Sequence, residues 1–182
     1  MKNKISLIFI GFIVLVGCSK QPTFVVSGTL TNAQDQTIYL EHTALLGTTI
    51  VDSCVIDVDG NYFLTAAAPI YPDFYRLRVG TRSLLLAIDS IEHVQVTTSL
   101  DSLPYTLNIQ GSDVSVQMAQ LRAIARIATR EELRLQTRKL ILDNPRSLAA
   151  YYAVFLKQNG LPIWDMAEAS DRRMYQAVAT SY

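Results

Sequence analysis

Short apolar runs alternate with turn-forming residues over the first part of the chain beyond residue 22. Runs rich in β-branched and aromatic residues cover 24–31 and 37–42, with a polar loop over 32–36 between them. Such runs are typical of strands joined by turns. Further runs of this kind cover 48–57, 62–65, 74–79, 83–89, 93–97 and 105–109. Seven or eight short strands at this spacing predict an antiparallel β-sandwich over residues 23–111.

Three of these stretches predict more detail. The run at 74–79 alternates apolar residues with Arg76 and Arg78, the period-two pattern of a strand with one buried face. The run at 83–89 is almost continuously apolar, which predicts a central strand. The sequence Asp-Val-Asp-Gly-Asn at 57–61 predicts a tight hairpin, because Gly60 and Asn61 tolerate a positive φ.

From Gly111 onward the apolar period becomes helical. One stripe repeats every seven residues, and a capping box from Thr129 to Glu132 predicts a break within it. The stripe consists of Val114, Leu121, Ala128, Leu135 and Leu142. A further helix over 146–157 should end at Asn159-Gly160, and a last helix should start at a second capping box over 165–168. The pattern therefore predicts a small helical region over 112–182 behind the sandwich.

The amino-terminal segment has the pattern of a targeting sequence. Lys2 and Lys4 precede an apolar run over 5–16 that is too short to span a bilayer. The junction Leu15-Val16-Gly17-Cys18 resembles the lipobox of bacterial lipoproteins. That resemblance implies a signal peptide over 1–17 and a Cys18 that is diacylglycerylated, cleaved on its amino side and acylated there. Residues 18–22 would then form a short tether to the bilayer. A plain signal peptide, or a short hydrophobic anchor with an incidental cysteine, is the alternative.

Net charge and cysteine content exclude several classes of function. Without residues 1–17 the chain carries 14 basic and 16 acidic residues, which gives no electrostatic signature of nucleic-acid binding. With Cys18 acylated, Cys54 is the one remaining cysteine, so an intramolecular disulfide and a Cys-x-x-Cys pair are both excluded. Cys54 lies in a β-rich stretch and is predicted to be a buried, structural side chain, with a reactive thiol as the alternative.

The remaining candidates for chemistry are weak. The segment 57–61 does not fit a calcium loop, because its glycine is fourth and the twelfth position is Ala68. His42 and His93 lack metal-ligand spacing, and Ser53 and Ser112 lack a nucleophile elbow. We therefore predict no catalytic, cofactor-binding or metal-binding residues, and no cofactor.

Two surface patterns remain. Arginines recur every fourth residue over 122–138, which indicates a solvated helix face or, alternatively, a surface for an anionic partner or lipid. They are Arg122, Arg126, Arg130, Arg134 and Arg138. Aromatic residues are frequent in the β region and are interpreted as core and cross-strand pairs, with a glycan-binding platform as the alternative. They are Tyr39, Tyr62, Phe63, Tyr71, Phe74, Tyr75 and Tyr105.

A series of short motifs resembles the domain of unknown function 4369. In order, these are Phe24-x-Val-x-Gly28, Ile38-Tyr39-Leu40, Asp52-Ser53 with Val58-Asp59-Gly60-Asn61-Tyr62-Phe63, Phe74-Tyr75-Arg76-Leu77 and Gly111-Ser112. The resemblance covers residues 23–112. Residues 143–152 and 161–164 resemble the helical connector that follows this domain in envelope lipoproteins. The resemblance implies a β-rich domain of the kind that precedes a thioredoxin-like domain in thiol–disulfide oxidoreductases and peroxiredoxin relatives. The redox motif of such a thioredoxin-like domain is absent from this sequence.

The functional hypothesis follows from these patterns together. The chain is expected to be a non-catalytic lipoprotein module of the bacterial cell envelope, on the periplasmic side or at the outer membrane, that positions or partners a thioredoxin-like redox domain. Two alternatives stay open. One is the amino-terminal part of a thiol–disulfide oxidoreductase, and the other is a surface lipoprotein that binds glycans or proteins.

Overall fold

The computed structural model describes residues 21–44, 46–105 and 107–181. The β region contains eight strands, the helical region four helices and a two-stranded hairpin. The strands are β1 (Thr23–Thr31), β2 (Thr37–Ala44), β3 (Gly47–Val55), β4 (Asn61–Ala67), β5 (Asp73–Val79), β6 (Arg82–Ile88), β7 (His93–Ser99) and β8 (Leu107–Gln110). The later elements are α1 (Asp113–Ile127), α2 (Arg130–Asp143), α3 (Leu148–Val154), β9 (Lys157–Gln158), β10 (Leu161–Pro162) and α4 (Arg172–Ala179).

The eight strands form two four-stranded sheets that pack face to face. Sheet A has the order β4-β1-β7-β8, and sheet B has the order β3-β2-β5-β6. Neighbouring strands are antiparallel except β1 and β7, which pair in parallel. The predicted β-sandwich with a helical region behind it is confirmed.

Alternating apolar residues of both sheets fill the space between them. Phe24 and Leu64 from sheet A are fully buried against Leu40, Leu86 and other residues of sheet B. The ring of Phe24 meets Tyr75 edge to face, with 4.7 Å between the ring centroids. The hydroxyl of the buried Tyr62 donates to the carbonyl of Val96 over 3.0 Å. The period-two pattern therefore places the core as the sequence predicted.

Gly28 allows the central strands of sheet A to approach closely. Its φ is +146°, and a Cβ at this position would lie 2.1 Å from the carbonyl oxygen of Val96 on β7. A side chain is therefore excluded both by the backbone conformation and by the neighbouring strand.

The prediction of a central strand over 83–89 was wrong. β6 is an edge strand of sheet B, and its continuous apolar run has a different cause. Leu84 and Leu86 face the sandwich core, whereas Leu85 and Ala87 on the opposite face pack against α1 and α3. Burial on both faces, which usually marks a central strand, is supplied here by helices.

The turn over 57–60 is tight, but it does not connect a hairpin. β3 belongs to sheet B and β4 to sheet A, so the turn carries the chain from one sheet to the other. One carboxylate oxygen of Asp57 accepts from the backbone N–H groups of Asp59 and Asn61, and Gly60 has a φ of +85°. These bonds hold the pKa of Asp57 below its usual value.

The predicted break at Thr129 is confirmed. Thr129 caps α2, and its backbone N–H and hydroxyl both donate to the carboxylate of Glu132. Because α2 is a separate helix with its own cap, the seven-residue apolar stripe of α1 does not continue into it. Leu135 and Leu142 are exposed, and the buried residues of α2 are instead Leu133, Thr137 and Ile141.

The third helix is shorter than predicted. α3 starts after its cap at Ser147 and ends at Val154, and the chain then forms the hairpin β9–β10. Asn159-Gly160 is the two-residue turn of this hairpin, with φ values of +52° and +81°, and not the end of a helix. Both residues of such a turn require positive φ, which Asn-Gly tolerates.

The predicted start of the last helix at 165 was also wrong. Asp165 forms a turn in which its side chain accepts from the N–H of Ala167, and α4 begins only at Arg172. Asp171 accepts from the N–H of Asp165, which fixes the bend before the helix. We refer to residues 112–181 as the helical unit.

The sandwich has two distinct ends. At the proximal end the N–H of Ala68 donates to the carbonyl of Pro22 over 2.8 Å, and that of Val25 donates to Glu92 over 2.9 Å. The connections 68–72 and 89–92 and the β2–β3 turn meet there. At the opposite, distal end lie the turns after β1, β3, β5 and β7.

Candidate functional site

Cys18, the predicted lipid attachment site, lies outside the described residues. The described chain begins with Gln21, and Pro22 is already held against the β4–β5 connection by its bond to Ala68. β1 starts at Thr23, directly behind this contact. The residue predicted to carry the lipid is thus separated from the folded sandwich by a very short stretch of chain.

Cys54 is half-buried on the edge strand β3. It pairs with Ile38 of β2 in the sheet register and packs against the margin of the sandwich core. Burial raises the pKa of its thiol, and the nearby Asp52 carboxylate adds to that effect. The side chain is less buried than the sequence suggested, and the raised pKa disfavours the thiolate.

The two histidines lie at the proximal end but in separate hydrogen bonds. Nε2 of His42 is 2.7 Å from Oδ2 of Asp73, and Nε2 of His93 is 2.7 Å from Oγ of Ser27. Ser112 caps α1 and donates to the carbonyl of Ala87. Within residues 21–44, 46–105 and 107–181, His, Cys, Asp and Glu form no group of three suited to a metal ion.

The row of arginines divides between two helices and makes specific contacts. Arg122 donates to the Tyr152 hydroxyl over 3.3 Å, and the guanidinium of Arg126 lies 4.2 Å from the ring centroid of Tyr105. On α2, Arg130 donates to the carbonyl of Pro162. The interpretation as a solvated face therefore misses the structural contacts of these side chains.

Arg134 forms the most enclosed ion pair of the helical unit. It donates to both carboxylate oxygens of Asp171 and, over 2.7 Å, to the carbonyl of Ile163. Its guanidinium stacks 4.3 Å above the ring of Trp164. Hydrogen bonds from Arg134 lower the pKa of Asp171 to about 2, although burial opposes this shift. Asp171 is therefore ionised at neutral pH and acts as a fixed anion.

A groove of about 790 Å³ lies beside this pair, between α2 and α4. Its walls carry charges of both signs, from Glu131 and Arg138 on α2 and from Arg173 on α4, around the apolar Leu135. Its deepest charged groups, Arg134 and Asp171, already bind each other. The groove thus presents a mixed surface in which the most buried charges are satisfied.

A second ion cluster on sheet B was not found from the sequence. Glu41 is 3% exposed and accepts from Nε of Arg76 over 2.6 Å and from Nε of Arg78 over 2.7 Å. Burial alone would raise the pKa of Glu41, but the two arginines hold it below its usual value. Arg78 also lies 4.4 Å from the ring centroid of Tyr39. The alternation of Arg76 and Arg78 with apolar residues indicated that both arginines lie on one face of β5. Their partner Glu41 is determined by the pairing of β2 with β5.

Aromatic side chains form a continuous row from sheet B to the last helix. The row runs from Phe74 through Tyr151 and Phe155 to Tyr175, with ring centroids 5.0–5.8 Å apart. Tyr151 and Phe155 are exposed at its middle. Three of the four residues of this row lie in the helical unit. In the β region, Phe63, Tyr71 and Tyr105 are exposed but do not belong to the row.

Within the described part of the chain, no helix has the length and apolarity needed to cross a bilayer. The hydrophobic run over 5–16, to which the predicted signal peptide belongs, lies outside that part.

No family model matches the chain, and no curated protein matches it. Among solved structures, an (S)-allantoin synthase is 14% identical over 51% of this chain and 45% of its own, with a TM-score of 0.34. Klebsiella pneumoniae 5-hydroxyisourate hydrolase is 13% identical over 51% of this chain and 100% of its own, with a TM-score of 0.33. The resemblance to the domain of unknown function 4369 stays a prediction.

Proposed function

We propose that the protein is a lipoprotein module of the bacterial cell envelope that is anchored through acylated Cys18. The module positions or partners a thioredoxin-like redox domain and does not catalyse a reaction itself. The proposal is carried by the lipobox-like junction at Leu15–Cys18. Only three residues separate this junction from Pro22, which a hydrogen bond from the N–H of Ala68 holds to the folded sandwich. Two or more acyl chains anchor a protein stably, and so short a link would hold the sandwich at the bilayer surface.

The anchoring is tested by labelling with palmitate in a bacterial host. We expect the wild-type protein to incorporate the label and to fractionate with membranes, and Cys18→Ser to lose both properties. Cys54→Ser is the matched control, since it removes the other cysteine and should leave labelling unchanged. Label on the Cys18→Ser protein, or none on the wild type, would refute the proposed anchor.

The absence of catalysis is supported by the state of Cys54. A dithiol cycle needs a second thiol, and after acylation of Cys18 the sequence offers Cys54 alone. The acylated protein should therefore not reduce insulin. Turnover that survives in Cys54→Ala would contradict a non-catalytic role, and turnover lost in that variant would make Cys54 a nucleophile.

The aromatic row supports a role in binding a partner domain. Exposed aromatic side chains in contact with one another are enriched at protein interfaces. A photo-crosslinking amino acid at Phe155 should capture a protein with a thioredoxin-like domain in cells. The same amino acid at Phe63, an exposed phenylalanine on sheet A, is the control. Equal capture from both positions would argue against a specific partner surface.

The same row favours glycan binding as a second candidate function, because sugar rings stack on exposed aromatic faces. In a sedimentation assay with insoluble peptidoglycan, Phe155→Ala should weaken binding, whereas Phe63→Ala should not. Absence of sedimentation of the wild-type protein would remove this candidate.

A further inference from the structure

Four exposed apolar side chains lie on the loops at the proximal end of the sandwich. Ile70 and Tyr71 on the β4–β5 connection are 90% and 79% exposed, and Ile91 on the β6–β7 connection is 67% exposed. Leu46, at the β2–β3 turn, is fully exposed. Apolar tips from three separate loops thus meet at one end of the fold. Scattered apolar residues are normal on a protein surface, but a group at one end indicates a contact surface.

The distal end differs in chemistry. Its turns and loops carry mainly acidic and amide side chains, together with the exposed Val58 and a partly exposed Tyr105. The acidic residues are Asp35, Asp57, Asp59 and Asp101. The apolar tips therefore distinguish the loops of the proximal end from those of the distal end.

The length of the tether determines what can contact the proximal end. Pro22 is the fourth residue after Cys18, and four residues of fully extended chain span about 14 Å. The carbonyl of Pro22 accepts from the N–H of Ala68, two residues before Ile70. A lipid attached at Cys18 would therefore hold Ile70 and Tyr71 close to the bilayer surface, whatever path residues 18–21 take.

We propose that Leu46, Ile70, Tyr71 and Ile91 form a membrane-contact surface that enters the interfacial region of the lipid bilayer and holds the sandwich with its proximal end on the membrane. This inference rests on the proposed lipid anchor at Cys18. Apolar groups on an interfacial protein enter the boundary between headgroups and acyl chains, and tyrosine is enriched at that depth. The anchor and the loops would then act together, since the anchor raises the local concentration of loops near lipid.

The acidic groups of the 89–92 connection do not oppose this arrangement strongly. The N–H of Asp89 donates to a carboxylate oxygen of Glu92 over 2.6 Å, and the hydroxyl of Ser90 donates to Asp89 over 2.7 Å. Both carboxylates thus have partners within the loop. Contact is expected to depend mainly on the apolar tips and only weakly on salt.

The test uses tryptophan as a depth probe in the full lipoprotein. Tyr71→Trp places the probe on the proposed surface. Val58→Trp places it on the distal turn at a site with the same exposed fraction of 79%. Trp164 is 4% exposed in the helical unit and contributes a constant background that the wild-type protein measures. Each protein is reconstituted in vesicles of phosphatidylethanolamine and phosphatidylglycerol with brominated acyl chains.

We expect the emission of the Tyr71→Trp protein to shift to shorter wavelength and to be quenched by the brominated lipid, while that of the Val58→Trp protein is unchanged. Ile70→Trp provides a second probe of the same surface and should behave as Tyr71→Trp does. If lipidated protein floats with the vesicles but the proximal probes are no more quenched than the probe of the Val58→Trp protein, the membrane-contact surface is refuted and the anchor stands. If the wild-type protein carries no lipid, the anchor itself is refuted, and the inference falls with it.

Discussion

The sandwich and the helical unit each have an apolar core, but in the helical unit side-chain hydrogen bonds to irregular segments are added to it. In the sandwich, two sheets bury alternating apolar side chains, and backbone ladders satisfy the polar groups. In the helical unit, polar side chains cross-link segments with little secondary structure. Arg134 binds Asp171 and the carbonyl of Ile163, and Nε1 of Trp164 donates to Thr137 over 3.1 Å. The Tyr175 hydroxyl donates to the carbonyl of Trp164 over 2.7 Å.

This difference follows from the lengths of the elements. The hairpin β9–β10 has two residues in each strand, and the chain from 163 to 171 has no regular ladder, so several backbone carbonyls lack partners from secondary structure. Arg130 and Tyr175 bind some of these carbonyls from neighbouring helices. The helical unit is therefore expected to respond to the loss of single polar groups, and the sandwich to the loss of apolar volume.

The largest effect is expected from a cavity in the sandwich. Leu64 is fully buried between the sheets, so Leu64→Ala should lower the free energy of unfolding by about 3–4 kcal/mol. Urea unfolding followed by far-ultraviolet circular dichroism measures the change. Its neighbour Phe63 faces solvent, and Phe63→Ala should cost less than about 1 kcal/mol. Equal costs for the two substitutions would mean that apolar packing does not dominate the sandwich.

A polar deletion should have a comparable effect in the helical unit. Asp171→Asn leaves Arg134 without its anionic partner and should cost about 3 kcal/mol. Urea unfolding followed by Trp164 emission reports this unit, because the indole lies under the Arg134 guanidinium. Asp143→Asn breaks the exposed pair with Lys139 and should cost no more than about 0.5 kcal/mol. A small effect of Asp171→Asn would show that apolar packing alone holds the helical unit.

Acid should weaken the helical unit through the same group. Because the pKa of Asp171 falls to about 2 in the folded protein, ionised Asp171 stabilises the fold above its ordinary pKa near 4. This contribution, about 2 kcal/mol, is lost as the pH falls from about 4 to about 2. The wild-type protein should therefore lose more stability over this range than Asp171→Asn does. Parallel losses in both proteins, measured by Trp164 emission in urea, would contradict this assignment.

The smallest effect is expected at the edge of the sandwich. Burial raises the pKa of Cys54, so the folded Cys18→Ser protein should react with iodoacetamide more slowly at pH 8 than the same protein in urea. Alkylation followed by mass spectrometry gives the two rates. A folded protein that reacts as fast as the unfolded one would show that β3 does not shield the thiol.

Local patterns predicted the sandwich well and the helical unit less well. Alternation places Phe24 and Leu64 inside because each strand has one buried face, and the capping box at Thr129 is a local signal. By contrast, Asp171 meets Arg134 across 37 residues, and no spacing in the sequence predicts that pair. The helix start predicted at 165 was wrong for the same reason. The N–H of Asp165 donates to Asp171, which lies outside the motif at 165–168 on which the prediction rested.

Contacts at the protein surface were likewise not predicted by local sequence patterns. The arginine row was visible as a spacing, but its meaning depended on carbonyls and rings supplied by other segments, as for Arg126 and Tyr105. Glu41 gave no sequence signal, because strand pairing decides which side chains lie beside it. The apolar loop tips were visible as residues, but their assembly at one end depends on the connection of the two sheets.

The position of β1 has a mechanical consequence. β1 lies between β4 and β7 in sheet A and is bonded along its length on both sides. Its amino-terminal end leads toward Cys18. Because ladder hydrogen bonds run across the strand, a pull along β1 from that end loads both ladders in shear, so that many bonds must yield together. An anchor at Cys18 would therefore transmit force to the part of the sheet best able to resist it, whereas an edge strand such as β3 could be peeled away one bond at a time.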